Sequence, residues 1–395
     1  MGLRIMGKWA SLLLLSLVLG GCSTITGWFS IDDDDDPRQP AELQDIDETV
    51  DVRKLWSAGV GNGQGEGLYK ITPVIGGDTL YAASAEGEVA AFDRRNGKQT
   101  WERDLKIALS GGVGLYNNSL FLGASDGYVL RLDARSGEIV WRSGVSGEVL
   151  AAPQSNGRVV VVQTYDGKLH GLDFADGKRL WVYDSNMPVL TIRGTSTPIL
   201  TDNQAIAGFA NGRVIAFNAQ TGGIEWEARV AIPQGRSEIE RMVDIDGSMA
   251  LSGNDLYAAS YQGNIAAIDV PSGRKRWEAP VSSVSGVSLG FGNAYVAAED
   301  GTIYAYLRNG QGQRWSQDVL AWRGLGRPVP VSSYVAVPDQ EGFVHILSQV
   351  DGSFVARVRP DRKGVRADML SEGNILYVFG NSGKLIAYEL SSKTR

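Results

Sequence analysis

One cysteine and two histidines are the side chains of this 395-residue chain best suited to nucleophilic or metal chemistry. The cysteine is Cys22, and the histidines are His170 and His345. A single cysteine excludes a disulfide within the chain, and three such residues spread over the sequence argue against a zinc site of cysteine and histidine ligands. Among these three residues, Cys22 is the one whose sequence context indicates a chemical modification.

Cys22 follows a short N-terminal segment that has the pattern of a secretion signal. After a basic start, residues 9–19 form an apolar run that is too short to span a bilayer, which takes roughly 20 residues. The Leu-Gly-Gly-Cys ending at 19–22 resembles the lipobox of bacterial lipoproteins. The resemblance implies that residues 1–21 are a signal peptide and that Cys22 is acylated and anchors the chain to a membrane. Ser23 in the next place, rather than aspartate, implies the periplasmic face of the outer membrane.

Acidic residues concentrate in the segment after Cys22. The chain carries 38 basic and 45 acidic residues, and nine of the acidic ones fall between positions 23 and 50, beside a single basic residue, Arg38. The run Asp32–Asp36 lacks the alternation, the turn glycine and the distal glutamate of a calcium loop. Residues 22–50 are therefore expected to form an acylated, self-repelling, flexible tether. The rest of the chain is nearly neutral, which argues against nucleic acid as a partner.

Beyond the acidic segment the chain repeats one frame, with lead glycines 38 to 51 residues apart. The first complete copy has its lead glycine at Gly87, a turn aspartate at Asp93, a turn glycine at Gly97 and a tryptophan at Trp101. The tryptophans of later copies are Trp141, Trp181, Trp226, Trp277 and Trp315, and the later turn aspartates are Asp133, Asp173 and Asp269. This repeat is the strongest structural signal in the sequence.

The pattern within each copy predicts four short strands, because apolar and polar residues alternate in runs that glycine, asparagine and aspartate separate. A four-strand unit of this length is one blade of a β-propeller. The eighth copy begins at Gly383 and ends before a tryptophan, whereas residues 52–56 predict a strand that ends in Trp56. We therefore predict an all-β domain over residues 51–395, an eight-bladed propeller of four-stranded antiparallel blades that the N-terminal strand closes. The tryptophans should pack on neighbouring blades, and the turn aspartates should accept backbone hydrogen bonds.

The frame Ala-x-Asp-x-x-(Thr/Ser/Asn)-Gly-x-x-x-Trp, seen at Ala91–Trp101, is similar to the repeat of the pyrroloquinoline-quinone-like propellers. With the lipobox and the acidic tether, it resembles the propeller lipoproteins of the outer-membrane β-barrel assembly machinery, the BAM complex. The resemblance covers nearly the whole chain. It implies a non-catalytic scaffold that docks on the periplasmic POTRA domains of BamA, the barrel-inserting subunit, and aids folding and insertion of outer-membrane proteins. Unfolded outer-membrane proteins are further candidate partners.

Two segments resemble the loops through which that family contacts BamA. They are Pro188–Ser196, with Leu190, Ile192 and Arg193, and Arg241–Asp246, with Asp244 and Asp246. They fall in the two longest repeat spacings, 45 and 51 residues, and extra residues in a propeller usually extend loops on a binding face. An apolar pair beside an arginine suits an interface hot spot. The alternative is that Arg193, Asp244 and Asp246 pair with one another and only order these loops.

Quinone-dependent dehydrogenases share the repeat, so an enzyme is the class to weigh against a scaffold. In that family Ca²⁺, a catalytic aspartate and, in many members, adjacent cysteines support the cofactor, whereas this chain has no cysteine besides Cys22. His170 and His345 fall in copies three and seven, on opposite sides of an eight-bladed ring, so they cannot share a metal ion. No helix pattern follows the glycine-rich Gly61–Gly67, which predicts a loop rather than a phosphate site. The sequence thus predicts no catalytic residue, metal or cofactor. A free-standing periplasmic chaperone that binds peptides at blade edges is the other alternative.

Overall fold

The strands are short, because the glycine-rich turns of the repeat interrupt the apolar runs after a few residues. A computed structural model describes residues 38–67 and 69–393, so Cys22 and the predicted signal peptide lie outside the described part. Every regular element in that part is a strand. The strands are β1 (Val50–Gly59), β2 (Val74–Gly76), β3 (Thr79–Ala83), β4 (Glu88–Asp93), β5 (Gln99–Asp104), β6 (Leu109–Tyr116), β7 (Ser119–Ala124), β8 (Tyr128–Asp133), β9 (Ile139–Gly144), β10 (Gln154–Ser155), β11 (Val159–Gln163), β12 (Lys168–Asp173), β13 (Arg179–Asp184), β14 (Ile199–Leu200), β15 (Gln204–Gly208), β16 (Arg213–Asn218), β17 (Ile224–Arg229), β18 (Ala250–Ser252), β19 (Asp255–Ala259), β20 (Gly263–Asp269), β21 (Arg274–Val281), β22 (Val287–Gly290), β23 (Asn293–Ala297), β24 (Ile303–Leu307), β25 (Gln313–Gln317), β26 (Val329–Val331), β27 (Tyr334–Pro338), β28 (Val344–Ser348), β29 (Phe354–Val358), β30 (Leu370–Glu372), β31 (Ile375–Phe379) and β32 (Lys384–Ser392).

These strands form eight antiparallel sheets of four, one for each copy of the repeat. Blade one has the order β2-β3-β4-β5, and blades two to seven continue in the same way through β6 to β29. Blade eight joins β30, β31 and β32 to β1, and the pairing runs from Val50 opposite Ser392 to Gly59 opposite Lys384. The predicted eight-bladed propeller, closed by the N-terminal strand, is confirmed.

The strand order gives the ring two different faces. Because neighbouring strands are antiparallel, the loops that connect one blade to the next lie on the same face as the turns between second and third strands. We call this the crossover face. Hydrogen bonds join the two kinds of loop there: the Leu105 amide donates to the Gly87 carbonyl at 3.0 Å, and the Trp322 amide donates to the Asp300 carbonyl at 2.9 Å. The turns between third and fourth strands, which hold the Asp–Gly frame, lie on the opposite face, called the turn face.

Each frame tryptophan lies against the turn glycine of the next blade. A Cβ atom added to Gly97 would fall 2.5 Å from the Trp56 ring, and one added to Gly222 would fall 2.6 Å from the Trp181 ring. The Trp181 Nε1 also donates to the Ala219 carbonyl of the next blade at 2.9 Å. Trp56, Trp101, Trp141, Trp277 and Trp315 donate in the same way, at 2.9 to 3.1 Å. Burial of each indole thus joins two blades, and no bulkier residue fits the turn position.

The turn aspartates shape the surface on which these tryptophans rest. The Asp93 carboxylate accepts the Arg95 amide at 2.8 Å, and Gly97 two residues later has a φ of 70°. Asp133 and Asp173 accept the corresponding amides at 2.9 and 2.7 Å, and Asp269 accepts the Ser272 amide at 3.1 Å. A side-chain acceptor and a left-handed glycine are what a tight turn requires.

The segment ahead of β1 lies on the ring, which differs from the expected flexible tether through residue 50. The Ala41 amide donates to the Ala321 carbonyl at 2.9 Å, and the Thr49 amide donates to the Val355 carbonyl at 3.0 Å. Leu43 packs against the apolar cluster between blades six and seven. Residues 41–49 are ordered because blade seven and the loop that leads into it supply these backbone partners.

Candidate functional site

Two long loops on the crossover face contain all five residues predicted to bind a partner. The first loop, residues 185–198, connects β13 of blade three to β14 of blade four. The second, residues 230–249, connects β17 of blade four to β18 of blade five. The loops start from successive blades and meet, so the structure brings the two predicted segments together.

Asp244 joins the two loops from inside. Its Oδ2 accepts the Ile192 amide at 2.6 Å, and its own carbonyl accepts the Tyr261 amide at 2.8 Å. Burial raises the pKa of Asp244 to about 6, against the lowering effect of the Ile192 amide. The Asp244 side chain is fully buried, so it presents no surface of its own, and its role in binding a partner stays a prediction. It can act on a partner only through the backbone that it holds.

Asp246 lies where the second loop meets the central channel of the ring. A Cβ atom added to Gly194 of the first loop would fall 2.8 Å from the Asp246 carboxyl carbon, so only a glycine allows this approach. Burial, followed by the charge of Asp244, raises the pKa of Asp246 well above its usual range, while Lys70 opposes the shift. Its Oδ2 is buried and has no hydrogen-bond partner among the described residues.

Arg193 turns away from both aspartates. Its Nη2 is 2.5 Å from Glu148 Oε2, and its guanidinium lies 5.4 Å from the centre of the Tyr165 ring. The alternative in which Arg193 pairs with Asp244 and Asp246 is therefore wrong, although Asp244 does order the loops. Glu148 lies in the loop that connects β9 of blade two to β10 of blade three, and Tyr165 lies in the turn between β11 and β12 of blade three. Nothing in the sequence pattern pointed to either residue.

The exposed part of the two loops mixes aliphatic side chains with polar and charged ones such as Arg236, Glu238 and Arg241. Leu190 is 43% exposed, and the adjacent Val189 is 87% exposed. Ile232 and Ile239 are exposed on the second loop. Sequence reasoning missed Val189, Ile232 and Ile239, although their position in the longest spacings was a usable signal. Exposed aliphatic side chains in the same loop as a fixed arginine, as at Val189, Leu190 and Arg193, are the composition expected of an interface.

The central channel forms a cavity of about 650 Å³ that residues from all eight blades line. Its charged groups include Lys70 and Arg327, which flank Asp368 at 3.9 and 3.4 Å, and Asp368 also accepts the Ser248 hydroxyl at 2.8 Å. Leu150, Ile199 and Met249 contribute apolar wall. Asp246 of the second loop also lines this cavity, so the two loops border the opening of the channel.

The two histidines are buried in different surroundings. His170 Nε2 lies 3.1 Å from Ser146 Oγ, and burial lowers its pKa to about 4. His345 Nε2 lies 3.1 Å from Asp339 Oδ2, and burial lowers its pKa too, against the effect of that carboxylate. Across residues 38–67 and 69–393, no group of three or more histidine, cysteine or acidic side chains is placed to hold a metal ion. Over the same residues no helix is long and apolar enough to cross a membrane.

Comparison with known proteins shows which family has this sequence and fold. A family model described as outer membrane protein assembly factor BamB matches residues 39–106 and 85–317. The protein of that name from Pseudomonas aeruginosa is 48% identical over 383 residues, which cover 97% of this chain and 99% of the relative. The crystal structure of BamB from Moraxella catarrhalis is 28% identical, with a TM-score of 0.78, and the match covers 86% of this chain and 100% of that one.

The ring also resembles the quinohemoprotein alcohol dehydrogenase from Comamonas testosteroni, with a TM-score of 0.68 over 87% of this chain and 77% of that one. At 15% identity this likeness shows the fold alone. The fold and frame thus define a propeller of pyrroloquinoline-quinone-like repeats. The chain belongs to the family of the outer membrane protein assembly factor BamB.

Proposed function

We propose that this chain is a non-catalytic accessory subunit of the BAM complex that docks on the periplasmic POTRA domains of BamA. Acylated Cys22 anchors it to the periplasmic face of the outer membrane. The observation that carries the proposal is the pair of crossover loops, in which buried Asp244 fixes the backbone beneath an exposed aliphatic and arginine surface. The names of its relatives, which are outer membrane protein assembly factors, support the same role.

The loop pair suits docking because its key groups are already ordered. Leu190 and Val189 present apolar area, which contributes to binding when water is excluded from it. Arg193 is fixed by Glu148 and by the Tyr165 ring, so little rotamer entropy remains to be lost on binding. A rigid arginine beside aliphatic anchors is typical of interface hot spots.

A scaffold fits the side chains better than an enzyme does. The buried histidines each have their own partners, and neither is among the residues that line the channel. The acids on the channel rim are held by structural contacts: Asp368 lies between two cations, and Asp246 packs on Gly194. We therefore assign no catalytic residue and no cofactor to this chain.

Co-purification from detergent-solubilised outer membranes tests the docking proposal. Leu190→Asp and Arg193→Ala should each lose BamA, because the first places a charge in the apolar contact and the second removes the fixed cation. The matched control is Leu180→Asp, which changes an aliphatic side chain of similar exposure on β13 of blade three.

Retention of BamA by both loop variants at the wild-type level would overturn the docking proposal. Loss of BamA from the Leu180→Asp control as well would assign the contact to the rim of the blade instead. If BamA never accompanies the wild-type chain, the free-standing chaperone is the better description.

A further inference from the structure

The boundary between blades seven and eight lacks the tryptophan contact that joins the other blades. Ala356 occupies the tryptophan position of blade seven. The third and fourth strands of blade eight are β32 and β1, which are far apart in the chain, so no Asp–Gly turn connects them. An aliphatic cluster that includes Val344, Ile346 and Leu376 packs across this boundary instead.

Residues 41–49, which we call the strap, lie at this boundary. The Thr49 amide donates to the Val355 carbonyl of blade seven at 3.0 Å, and the Lys393 amide next to blade eight donates to the Thr49 carbonyl at 2.9 Å. Lys393 Nζ also lies 3.0 Å from Glu48 Oε2. One residue of the strap thus bridges the two blades that no tryptophan joins.

The other end of the strap lies on the crossover face. The Ala41 amide donates to the Ala321 carbonyl, and Arg323 Nη1 donates to the Ala41 carbonyl at 2.9 Å. Ala321 and Arg323 belong to the loop that connects β25 of blade six to β26 of blade seven. That loop is on the face that also presents Leu190 and Arg193. The strap therefore runs from the crossover face, along the outer edge of blade seven, to the turn face.

A buried ionic network holds the strap at this point. Arg323 Nε donates to Asp339 Oδ2 at 2.8 Å, and Asp339 is fully buried. His345 Nε2 lies 3.1 Å from the same oxygen.

The network returns to the strap through Arg357, whose Nε donates to His345 Nδ1 at 3.1 Å and whose Nη1 donates to the Gln44 carbonyl at 2.9 Å. An arginine cannot accept, so His345 Nδ1 must be unprotonated and its Nε2–H must face Asp339. Burying an arginine, an aspartate and a histidine is costly unless they satisfy one another, and here two carbonyl oxygens of the strap add acceptors, although Arg357 Nη2 is buried without a partner among the described residues.

We propose that the strap fixes the attachment of the lipid anchor to the crossover face, so that a docked partner is held between the ring and the membrane. The proposal rests on the proposed function for the anchor and the partner, and on the strap contacts for the geometry. Cys22 precedes Ala41 by 19 residues, a reach of at most about 65 Å. A tether that starts on the crossover face draws that face toward the bilayer, and the opposite face can approach only if the tether passes around the rim.

Quenching by spin-labelled lipids tests this orientation. The acylated full chain, purified from membranes and reconstituted without BamA, carries one fluorophore on Val189→Cys or on Gln220→Cys. Both positions are exposed. Val189 lies on the crossover face, in the loop that leads into blade four, and Gln220 lies on the turn face, between β16 and β17 of blade four. Cys22 is the only native cysteine and its sulfur is acylated, so labelling is specific. We expect quenching at 189 to exceed quenching at 220 by about twofold or more, because the turn face reaches the bilayer only in those tether conformations that pass around the rim, which take up part of its length.

A variant pair separates the strap from the tether. Arg357→Ala removes the bond to Gln44 and should reduce the quenching difference and speed amide exchange over residues 41–49. Arg359→Ala is the matched control, since Arg359 donates to the Glu341 carbonyl and does not bond to the strap. It should change neither readout.

Equal quenching at the two positions, or stronger quenching at 220, would overturn the proposal. It would also be overturned if Arg357→Ala speeds amide exchange over residues 41–49 but leaves the quenching difference between the two positions unchanged. Flotation with vesicles is measured first, and a wild-type chain that fails to float contradicts the anchor and with it this orientation. Because BamA is absent, failure of the docking proposal would leave the quenching result unchanged, so the two can be told apart.

Discussion

The turn face and the crossover face differ in how fully the polar groups of their repeated turns and long loops are hydrogen-bonded. On the turn face, each Asp–Gly turn repeats the same bonds, and six of the seven frame tryptophans find a carbonyl in the next blade. On the crossover face, Asp244 Oδ1 and Asp246 Oδ2 are buried without hydrogen-bond partners among the described residues. Buried carboxylates without full compensation reduce stability. The comparison indicates that the turn face serves the fold and that the crossover face has been shaped by another requirement, which we assign to docking.

The largest effect on stability should come from removing a tryptophan contact on the turn face. Trp181→Ala removes a buried indole, its bond to Ala219 and its packing on Gly222. We expect a loss of about 3–5 kcal/mol in the free energy of unfolding, because a large cavity opens between two blades. Chemical denaturation measures it. Trp322→Ala is the control, since this partly buried tryptophan lies in a crossover loop outside the frame. A loss below about 1 kcal/mol for Trp181→Ala would show that the frame does not join the blades.

The next prediction concerns the uncompensated acid of the crossover face. The pKa of Asp244 is about 6 in the folded chain and lower when unfolded, so the native state holds the proton more tightly. Ionisation therefore costs stability as the pH rises from about 4 through about 6. Asp244→Asn keeps an acceptor for the Ile192 amide and removes the charge. It should be more stable than wild type near neutral pH by up to about 3 kcal/mol, with the difference fading by about pH 4, since a tenfold change in acidity corresponds to about 1.4 kcal/mol.

Thermal unfolding across this pH range measures the difference. Asp202→Asn, which changes an exposed carboxylate, is the matched control and should show a constant offset. If Asp244→Asn is less stable than wild type at neutral pH, the charge is compensated in the native loops and the contrast between the faces fails.

Repetition explains how much of this structure the sequence could predict. Eight blades and their closure by β1 follow from a frame that recurs, because each copy repeats the same local turns and alternation. Burial of Asp244 and the Arg193–Glu148 pair were not predictable, since each depends on one non-repeating contact between loops of different blades. The strap was missed for a similar reason. Its acidic composition is typical of a solvated linker, but Arg357 of blade seven and Arg323 of the loop before that blade donate to backbone carbonyls of the strap, and composition does not reveal backbone partners.

The smallest effect on stability should come from Glu148→Ala, a substitution that should weaken docking while leaving the fold almost unchanged. Glu148 and Arg193 form a partly exposed ion pair, and such pairs contribute little, so the free energy of unfolding should change by about 0.5 kcal/mol or less. Association with the periplasmic part of BamA should nevertheless weaken by about threefold to tenfold, because Arg193 loses the partner that orients it. Surface plasmon resonance measures the association, and Glu138→Ala, an exposed acid in a turn of blade two, is the control. A fall in stability with unchanged association would make Glu148 a structural residue of the loops and leave the docking surface to the aliphatic side chains alone.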